Sequence, residues 1–263
     1  MTPVTRVSLN LEAERYHAMP EISKHRLDWL DKCPALFKHR IESPQEQTDT
    51  MWWGSVVHTA ILEPLLFQKK FACASPDLKR TAKKAWTEFE ESSGKEALTF
   101  EEVETLLAMA KSINAHKAAS KIIAGQIEAS IFWQDEDTGV LCRCRPDVIN
   151  KSIGMLVDLK TCSSANPTSF SKDAYNFRYH VQAAFYLDGC KANGIEVDNF
   201  VFVCVEKTAP YLVAVYAADQ AMIELGRATY KANLETYKRC LHEDNWPGYS
   251  ESIEILSLPT YAK

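Results

Sequence analysis

The sequence predicts a layered α/β (α+β) fold in which helices flank a central mixed β-sheet. Apolar residues recur at helical spacing over most of residues 1–125, whereas short β-branched and aromatic runs separated by turns begin at about residue 126. Helical patterns return between and after these runs. A chain with this order of segments buries its apolar faces by covering a sheet with helices.

Two helices are predicted early in the chain, over 22–40 and 51–71. Ser23 is a suitable N-cap for the first helix, which should break before Pro34 because proline cannot continue a helix. The second helix is strongly apolar. These helices would supply faces that pack on the sheet.

A polar and basic stretch over 76–96 is predicted to be an insertion. Thr99 and Glu102 have the spacing of a capping box, in which each side chain bonds to the other residue's backbone N–H. A helix should therefore follow over roughly 100–123.

The remaining segments alternate between strands and helices. The Asp137–Gly139 turn predicts a hairpin between the first two strands. The predicted strands span 128–134, 140–150, 154–162, 200–207 and 211–218, and the predicted helices span 173–194 and 219–243.

The chain length fits one domain over 1–263. Within it, 1–125 is the mainly helical part, 126–218 contains the sheet, its helix and the candidate catalytic residues, and 219–263 forms a C-terminal helix and tail.

The composition, with 46% hydrophobic and 25% charged residues, is that of an ordinary globular protein. A net charge of −5 argues against a uniformly basic coat for nucleic acid, but not against a local basic groove. No apolar run approaches the ~18–20 residues that span a bilayer, and the N-terminus lacks a signal-peptide pattern, so we expect a cytoplasmic protein with no membrane partner. The eight cysteines include no C-x-x-C pair and are expected to be reduced, mostly buried thiols.

Charged residues interrupt an apolar strand in RPDVINKSIGMLVDLK, residues 145–160. Asp158 and Lys160 are two apart and project from one face, and a hairpin can bring Asp147 beside Asp158. Two close carboxylates repel unless a cation or a proton lies between them. Such ligands suit Mg²⁺ or Mn²⁺, and a lysine that orients a water completes a minimal site for phosphodiester hydrolysis. Taken alone, the pattern is more typical of solvated charges at a strand end.

Further residues accompany this motif in order along the chain. They form a helical G-x-x-x-H, a glutamate on the preceding strand and a Q-x-x-x-Y on the following helix: Gly54 and His58, Glu128, and Gln182 and Tyr186. Together with Pro146-Asp147 and Asp158-Leu159-Lys160, this set resembles the RecB-type branch of the PD-(D/E)xK nuclease superfamily. Over nearly its whole length, the sequence is similar to the exonuclease VIII (RecE) nuclease domain and its phage relatives. The resemblance implies a restriction-endonuclease-like core.

The resemblance also implies a set of metal ligands. His58, Asp147, Asp158 and the backbone carbonyl of Leu159 would bind Mg²⁺, with Mn²⁺ able to substitute. Glu128 would hold these ligands in place from behind or bind a second metal. A lone histidine in an apolar helix is more often a core residue, so the role of His58 depends on the motif around it.

Catalytic roles are implied for three further residues. Lys160 would position the attacking water, and Gln182 and Tyr186 would orient Lys160 or a DNA phosphate. A lone tyrosine here is more often a core residue, whereas a buried glutamine amide needs polar partners. No Walker-type motif indicates ATP, and only Cys240 lies near the C-terminus, so neither ATP nor an iron–sulfur cluster is expected.

Four basic residues near the motif are candidates for contacts with DNA phosphates: Arg143, Arg145, Arg178 and His180. Guanidinium groups bind phosphate through paired hydrogen bonds. The alternative is that they pair with neighbouring carboxylates, including those of the site.

The function that the resemblance implies is a metal-dependent 5′→3′ exodeoxyribonuclease that digests linear double-stranded DNA from its ends. It would leave 3′ single-stranded overhangs for homologous recombination. A toroidal homo-oligomer, with four subunits, and a single-strand annealing recombinase as partner are implied too, in a bacterial or phage-infected cell. Two alternatives stay open: a structure-specific endonuclease of the same superfamily, and a catalytically inactive module that binds DNA ends.

Overall fold

The structure, a computed structural model, describes residues 5–43 and 47–258. Its first part is mainly helical. The elements are β1 (Arg6–Ser8), α1 (Ala13–Ala18), α2 (Lys24–Lys32), α3 (Pro34–Glu42), α4 (Asp49–Leu62), α5 (Pro64–Lys70), β2 (Phe71–Cys73), α6 (Lys83–Ser93), β3 (Glu96–Leu98), α7 (Phe100–Ala115) and α8 (Ala119–Ile122).

The second part alternates between strands and helices. The elements are β4 (Gln126–Ile127), β5 (Ser130–Gln134), β6 (Leu141–Cys144), β7 (Val148–Asn150), β8 (Met155–Cys162), α9 (Pro167–Asn176), α10 (Tyr179–Ala192), β9 (Asn199–Glu206), β10 (Val213–Ala217) and α11 (Gln220–Glu243).

Prolines divide the early helices. Pro34 begins α3, which confirms the predicted break, and Pro64 begins α5. The prediction of one helix over 51–71 is therefore wrong. Proline lacks the N–H that a continuing helix needs and disfavours helical geometry in the residue before it, so α4 ends ahead of Glu63.

The predicted caps are confirmed. The Ser23 side chain accepts a hydrogen bond from the backbone N–H of Arg26 at the start of α2. Thr99 and Glu102 form both bonds of a capping box at the start of α7. The single helix predicted over 100–123 is α7 followed by the short α8, because His116 is extended.

A five-stranded mixed sheet lies at the centre, in the order β10-β9-β8-β7-β4. β8 and β9 are parallel, and the other neighbours are antiparallel. α9 and α10 make the crossover that two consecutive parallel strands require. The predicted central sheet with flanking helices is confirmed.

A three-stranded antiparallel sheet, β1-β5-β6, lies beside it. β5 and β6 form the predicted hairpin at Asp137–Gly139, with Gly139 at φ 73°. The single strand predicted over 140–150 is wrong, because β6 belongs to this sheet and β7 to the central one. Pro146 lies between them and has no N–H for either ladder. The chain thus passes from one sheet to the other at Asp147.

Alternation along the central strands divides the core in two. One set of side chains packs with α2, α10 and α11, and the other packs with α4 and α7. The first set includes Leu156, Phe200 and Phe202, and the second includes Val157, Leu159 and Val203. By the same alternation, Asp158 and Lys160 lie on the α10 side.

The helix predicted over 173–194 is two helices, and that prediction is wrong near its start. Arg178 takes a left-handed conformation (φ 55°) between α9 and α10, which interrupts the helical hydrogen bonds. The predicted terminal helix over 219–243 is confirmed as α11, and Asp219 caps it.

Candidate active site

Asp158 and Lys160 meet on the face of β8 that α10 covers. Lys160 Nζ lies 2.5 Å from Oδ1 of Asp158, and the Asp158 side chain is almost fully buried, at 2% exposed. The charges that interrupt this apolar strand are therefore a buried ion pair. The alternative of solvated strand-end charges is not what the structure shows.

Gln182 on α10 closes a three-membered arrangement with this pair. Its Nε2 donates to Oδ2 of Asp158 at 2.5 Å, and its Oε1 accepts from Lys160 Nζ at 3.0 Å. The buried amide thus has a partner at each end, as a buried polar group requires. Gln182 fixes the orientation of both charged groups.

Lys160 is held in its charged form. Burial alone would lower its pKa, but Asp158, Tyr179 and Asp147 together outweigh burial, and the pKa is raised above the usual lysine value. The Tyr179 ring lies 4.5 Å from Nζ, in cation–π contact. The sequence reasoning missed Tyr179. The signal was its position, one turn before Gln182 and thus on the same helix face.

Asp147 is positioned by the ladder between β7 and β8. Val148 pairs with Val157, so the register continues to Asp147 opposite Asp158. Oδ2 of Asp147 accepts from the backbone N–H of Leu159 at 2.7 Å and lies 3.3 Å from Nδ1 of His58 on α4. The predicted hairpin thus brings Asp147 beside Asp158.

Glu128 is predicted to begin a strand, but it lies between β4 and β5. Its φ of 52° is in the left-handed region, which non-glycine residues adopt rarely and often at functional sites. Its N–H donates to the backbone carbonyl of Asp147 at 3.1 Å. Ligand atoms of His58, Glu128 and Asp147 all lie within 4.8 Å of one another.

Burial and mutual repulsion act on these carboxyl groups. Burial, together with Asp158 and against the effect of His58, raises the pKa of Asp147 to about 6. Burial and the neighbouring Asp147 raise the pKa of Glu128 to about 8. Both groups are therefore unfavourable as free anions, and a cation between them would relieve that cost.

This donor set fits a divalent cation. Two carboxylates and an imidazole converge, and Oδ1 of Asp158 is buried and accepts no hydrogen bond from the described residues, although Lys160 Nζ lies beside it. Hard oxygen donors with one nitrogen suit Mg²⁺ or Mn²⁺.

The group differs in membership from the predicted ligand set. The structure joins Glu128 to His58 and Asp147, and it places Asp158 with Lys160 and Gln182. Ligation by Asp158 and by the carbonyl of Leu159 stays a prediction.

Comparison with known proteins identifies the family. Residues 23–259 match the family model described as "PDDEXK-like domain of unknown function (DUF3799)". The chain belongs to this PDDEXK-like family. The resemblance drawn from Asp147, Asp158 and Lys160 is therefore confirmed at the level of the superfamily.

A solved structure supports the fold of this PDDEXK-like domain. The crystal structure of "Putative exonuclease" from Eubacterium rectale superposes with a TM-score of 0.67 at 14% identity, covering 96% of each chain. The structure of SSO0001 gives a TM-score of 0.29 at 14% identity, covering 68% of this chain and 86% of the other. No curated protein matches the chain.

Arg143 and Arg145 of the PDDEXK-like domain have partners within the protein. Arg143 is 3% exposed and donates to backbone carbonyls of Tyr16, His17 and Glu21. Arg145 donates to the Ser130 hydroxyl and the Leu11 carbonyl and lies 3.9 Å from Glu128. These contacts use the donors that a phosphate would need, and they do not support the predicted DNA contacts.

Arg178 and His180 also face protein groups. Arg178 pairs with Asp28 and Asp31 of α2 at 3.4 and 3.2 Å. His180 is buried, with its ring stacked on that of Tyr175 at 5.8 Å. The alternative of pairing with neighbouring carboxylates describes Arg178 better than phosphate binding does.

Tyr186 is partly buried behind the site. Its ring meets Phe200 edge-to-face at 6.2 Å. Burial raises its pKa well above the usual tyrosine value, so the phenol stays protonated. Among the described contacts none joins Tyr186 to Lys160, and its orienting role stays a prediction.

The described helices include none that is long and apolar enough to cross a membrane.

Seven of the eight cysteines are buried thiols, and Cys73 is exposed. The expected mostly buried cysteines are confirmed.

Proposed function

We propose that this chain is a divalent-metal-dependent deoxyribonuclease that hydrolyses phosphodiester bonds. The observation that carries the proposal is the juxtaposition of His58, Glu128 and Asp147 with the buried Asp158–Lys160 pair. Membership of the PDDEXK-like family supports it. Mg²⁺ is the proposed ion, with Mn²⁺ as a substitute.

A divalent cation bound at this site would neutralise charge on the scissile phosphate and make a water molecule more acidic. The residues of the chain do the rest. Lys160, kept as an ammonium ion by Asp158, donates hydrogen bonds and orients the attacking water rather than acting as its base. Gln182 holds the Lys160 Nζ in place, and the backbone N–H of Leu159 holds Asp147.

The finer activity proposed is 5′→3′ exonuclease action on linear double-stranded DNA, leaving 3′ single-stranded overhangs for homologous recombination. The sequence resemblance supports this choice. The Eubacterium rectale protein, described as a "Putative exonuclease", shares the fold over 96% of both chains. We further propose a toroidal homo-oligomer, a tetramer, with a single-strand annealing recombinase as partner in the cytoplasm of a bacterial or phage-infected cell.

The test compares linear duplex with closed-circular plasmid, each with Mg²⁺, with Mn²⁺ and with EDTA. We expect digestion of the linear form alone, dependent on metal, with a label on the 5′ end released first. Asp158→Asn and Lys160→Ala should abolish it. Cutting of closed circles would favour the endonuclease alternative, and DNA-end binding without any cleavage would favour the inactive module. Digestion that persists in EDTA would contradict the metal dependence.

A further inference from the structure

Phe177 is an exposed aromatic residue at the turn between α9 and α10. Phe177 is 57% exposed, whereas the nearby residues Phe170 and Phe202 are buried. A single exposed apolar side chain is common on protein surfaces and carries no conclusion by itself. Its setting is the informative part.

The backbone at Phe177 is firmly anchored. Its carbonyl accepts a hydrogen bond from Nζ of Lys24 at 2.7 Å, and its N–H donates to the backbone carbonyl of Asp173 at 2.8 Å. The next residue, Arg178, takes its left-handed conformation with ion pairs to Asp28 and Asp31. The exposed ring is therefore presented at a fixed position rather than on a mobile loop.

A chain of contacts leads from this ring to the active site. The rings of Phe177 and Tyr179 lie 5.8 Å apart at 31° to each other. The Tyr179 ring in turn lies 4.5 Å from Lys160 Nζ, which pairs with Asp158. Phe177 is thus two contacts away from the candidate catalytic lysine.

A rigid, exposed ring two contacts away from Lys160 suits a nucleobase of the substrate. Nucleobases stack on aromatic side chains whatever the DNA sequence, because every base has a flat π-face. The arginines near the site are engaged with protein groups, so stacking would supply a grip on DNA that they do not. We propose that Phe177 stacks on a base next to the scissile phosphate and so sets which bond reaches Lys160. This inference rests on the proposed nuclease function.

Kinetics of Phe177→Ala and Phe177→Trp test the proposal. Stacking holds substrate and transition state alike, so loss of the ring should raise KM by about 5- to 100-fold and leave kcat within about threefold. Phe177→Trp should restore KM, and the melting temperature of both variants should match that of the unmodified protein. Tyr249→Ala, which removes an aromatic residue 87% exposed in the C-terminal stretch, is the matched control and should change neither constant.

Modified DNA locates the contact. A single abasic nucleotide is moved along the cleaved strand of a linear duplex. One position near the cleavage point should slow the unmodified protein as much as Phe177→Ala does, and Phe177→Ala should be slowed no further there. In an Asp158→Asn background, 2-aminopurine at that position should be quenched on binding, and adding Phe177→Ala should abolish the quenching.

The outcomes separate this inference from the proposed function. Suppose that the unmodified protein cleaves DNA. An unchanged KM for Phe177→Ala would then overturn the stacking role alone, and so would an abasic nucleotide that slows Phe177→Ala as much as it slows the unmodified protein. A Phe177→Trp variant as weak as Phe177→Ala would do the same, since it would assign the effect to local structure. Absence of cleavage by the unmodified protein under all metal conditions would instead overturn the nuclease proposal.

Discussion

The ammonium group of Lys160 on β8 donates a hydrogen bond to Oε1 of Gln182 on α10 at 3.0 Å, although α9 separates the two elements along the chain. The amide of the same glutamine donates to Asp158 at 2.5 Å. One neutral side chain therefore orients both members of a buried ion pair. Its removal leaves the pair in place but free to reorient.

Gln182→Ala is expected to lower kcat by about 10- to 100-fold, the usual effect of losing a group that orients a catalytic or metal-binding residue. KM and the metal affinity should change less than kcat. Single-turnover cleavage of linear duplex measures the effect. Gln220→Ala, whose amide bonds to Glu224 on the surface, is the matched control. An unchanged kcat in Gln182→Ala would show that Lys160 needs no such support.

Glu128 is expected to contribute directly to metal binding, because its carboxylate lies with the imidazole of His58 and the carboxylate of Asp147. Glu128→Gln should weaken the binding of Mn²⁺ by at least about tenfold, measured by calorimetric titration. Glu101→Gln, an exposed carboxylate paired with Lys79, should leave binding unchanged. Equal binding by the Glu128 variant would place Glu128 outside the metal site.

The stability of the metal-free protein should fall as pH rises from about 4 to 8 through the effect of Asp147 and Glu128. Their folded-state pKa values, about 6 and about 8, lie above the ordinary carboxyl values near 4. Within this window the folded state binds protons that the unfolded state has released, so unfolding becomes easier as pH increases.

A divalent cation pairs with the ionised carboxylates, so its stabilising effect should be larger at pH 8 than at pH 5. Melting temperatures with and without Mg²⁺ at both values measure this. Glu128→Gln has one group fewer to ionise and should show a shallower decline without metal. A metal effect that is the same at both pH values would contradict the linkage.

The sequence could reveal the residues of the site but not their grouping. The i, i+2 spacing of Asp158 and Lys160 places them on one strand face, and the ladder between β7 and β8 brings Asp147 alongside. The position of Glu128 depends on a left-handed backbone outside any strand, which no periodicity signals. The resemblance therefore leaves two roles open for Glu128, as a group that supports the ligands or as the ligand of a second metal.

The fold could be predicted in its layers and its caps, but less well in its interruptions. Strand and helix patterns follow local periodicity, which runs on through Pro64 and Pro146 although each proline is itself a local signal for a break. The left-handed turn at Arg178 has no such signal and depends on where the chain must change direction in three dimensions. The partners of the arginines are similarly non-local. Arg143 bonds to carbonyls more than a hundred residues away along the chain.

Arg143→Ala is expected to destabilise the protein rather than weaken DNA binding. It leaves carbonyls of Tyr16, His17 and Glu21 without their buried donor and removes a cation–π contact at 4.4 Å from the Tyr16 ring. The free energy of unfolding should fall by about 3 kcal/mol. Urea denaturation measures it, and Arg239→Ala on the exposed side of α11 serves as control. A stable variant with a smaller salt dependence of KM would instead indicate a phosphate contact.

Gly226 and Gly54 should respond in opposite ways to alanine. A Cβ at Gly226 would lie 1.9 Å from the carbonyl oxygen of His180, so Gly226→Ala must separate α11 from α10 and should lower the free energy of unfolding by more than about 2 kcal/mol. At Gly54 a Cβ would meet nothing within 4 Å. Gly54→Ala should therefore raise the free energy of unfolding by up to about 1 kcal/mol, since alanine is the better helix former.

The activity of Gly54→Ala then tests why a glycine lies there at all. Gly54 sits inside α4 without a left-handed backbone, so neither packing nor conformation requires it. It shares a helix face with His58, one turn away, and the open space beside it is where substrate would approach the metal site. A more stable variant with kcat/KM lowered about tenfold or more would show that the space is filled by DNA during the reaction, because one methyl group has no other neighbour to disturb. Full activity would show instead that substrate passes clear of α4.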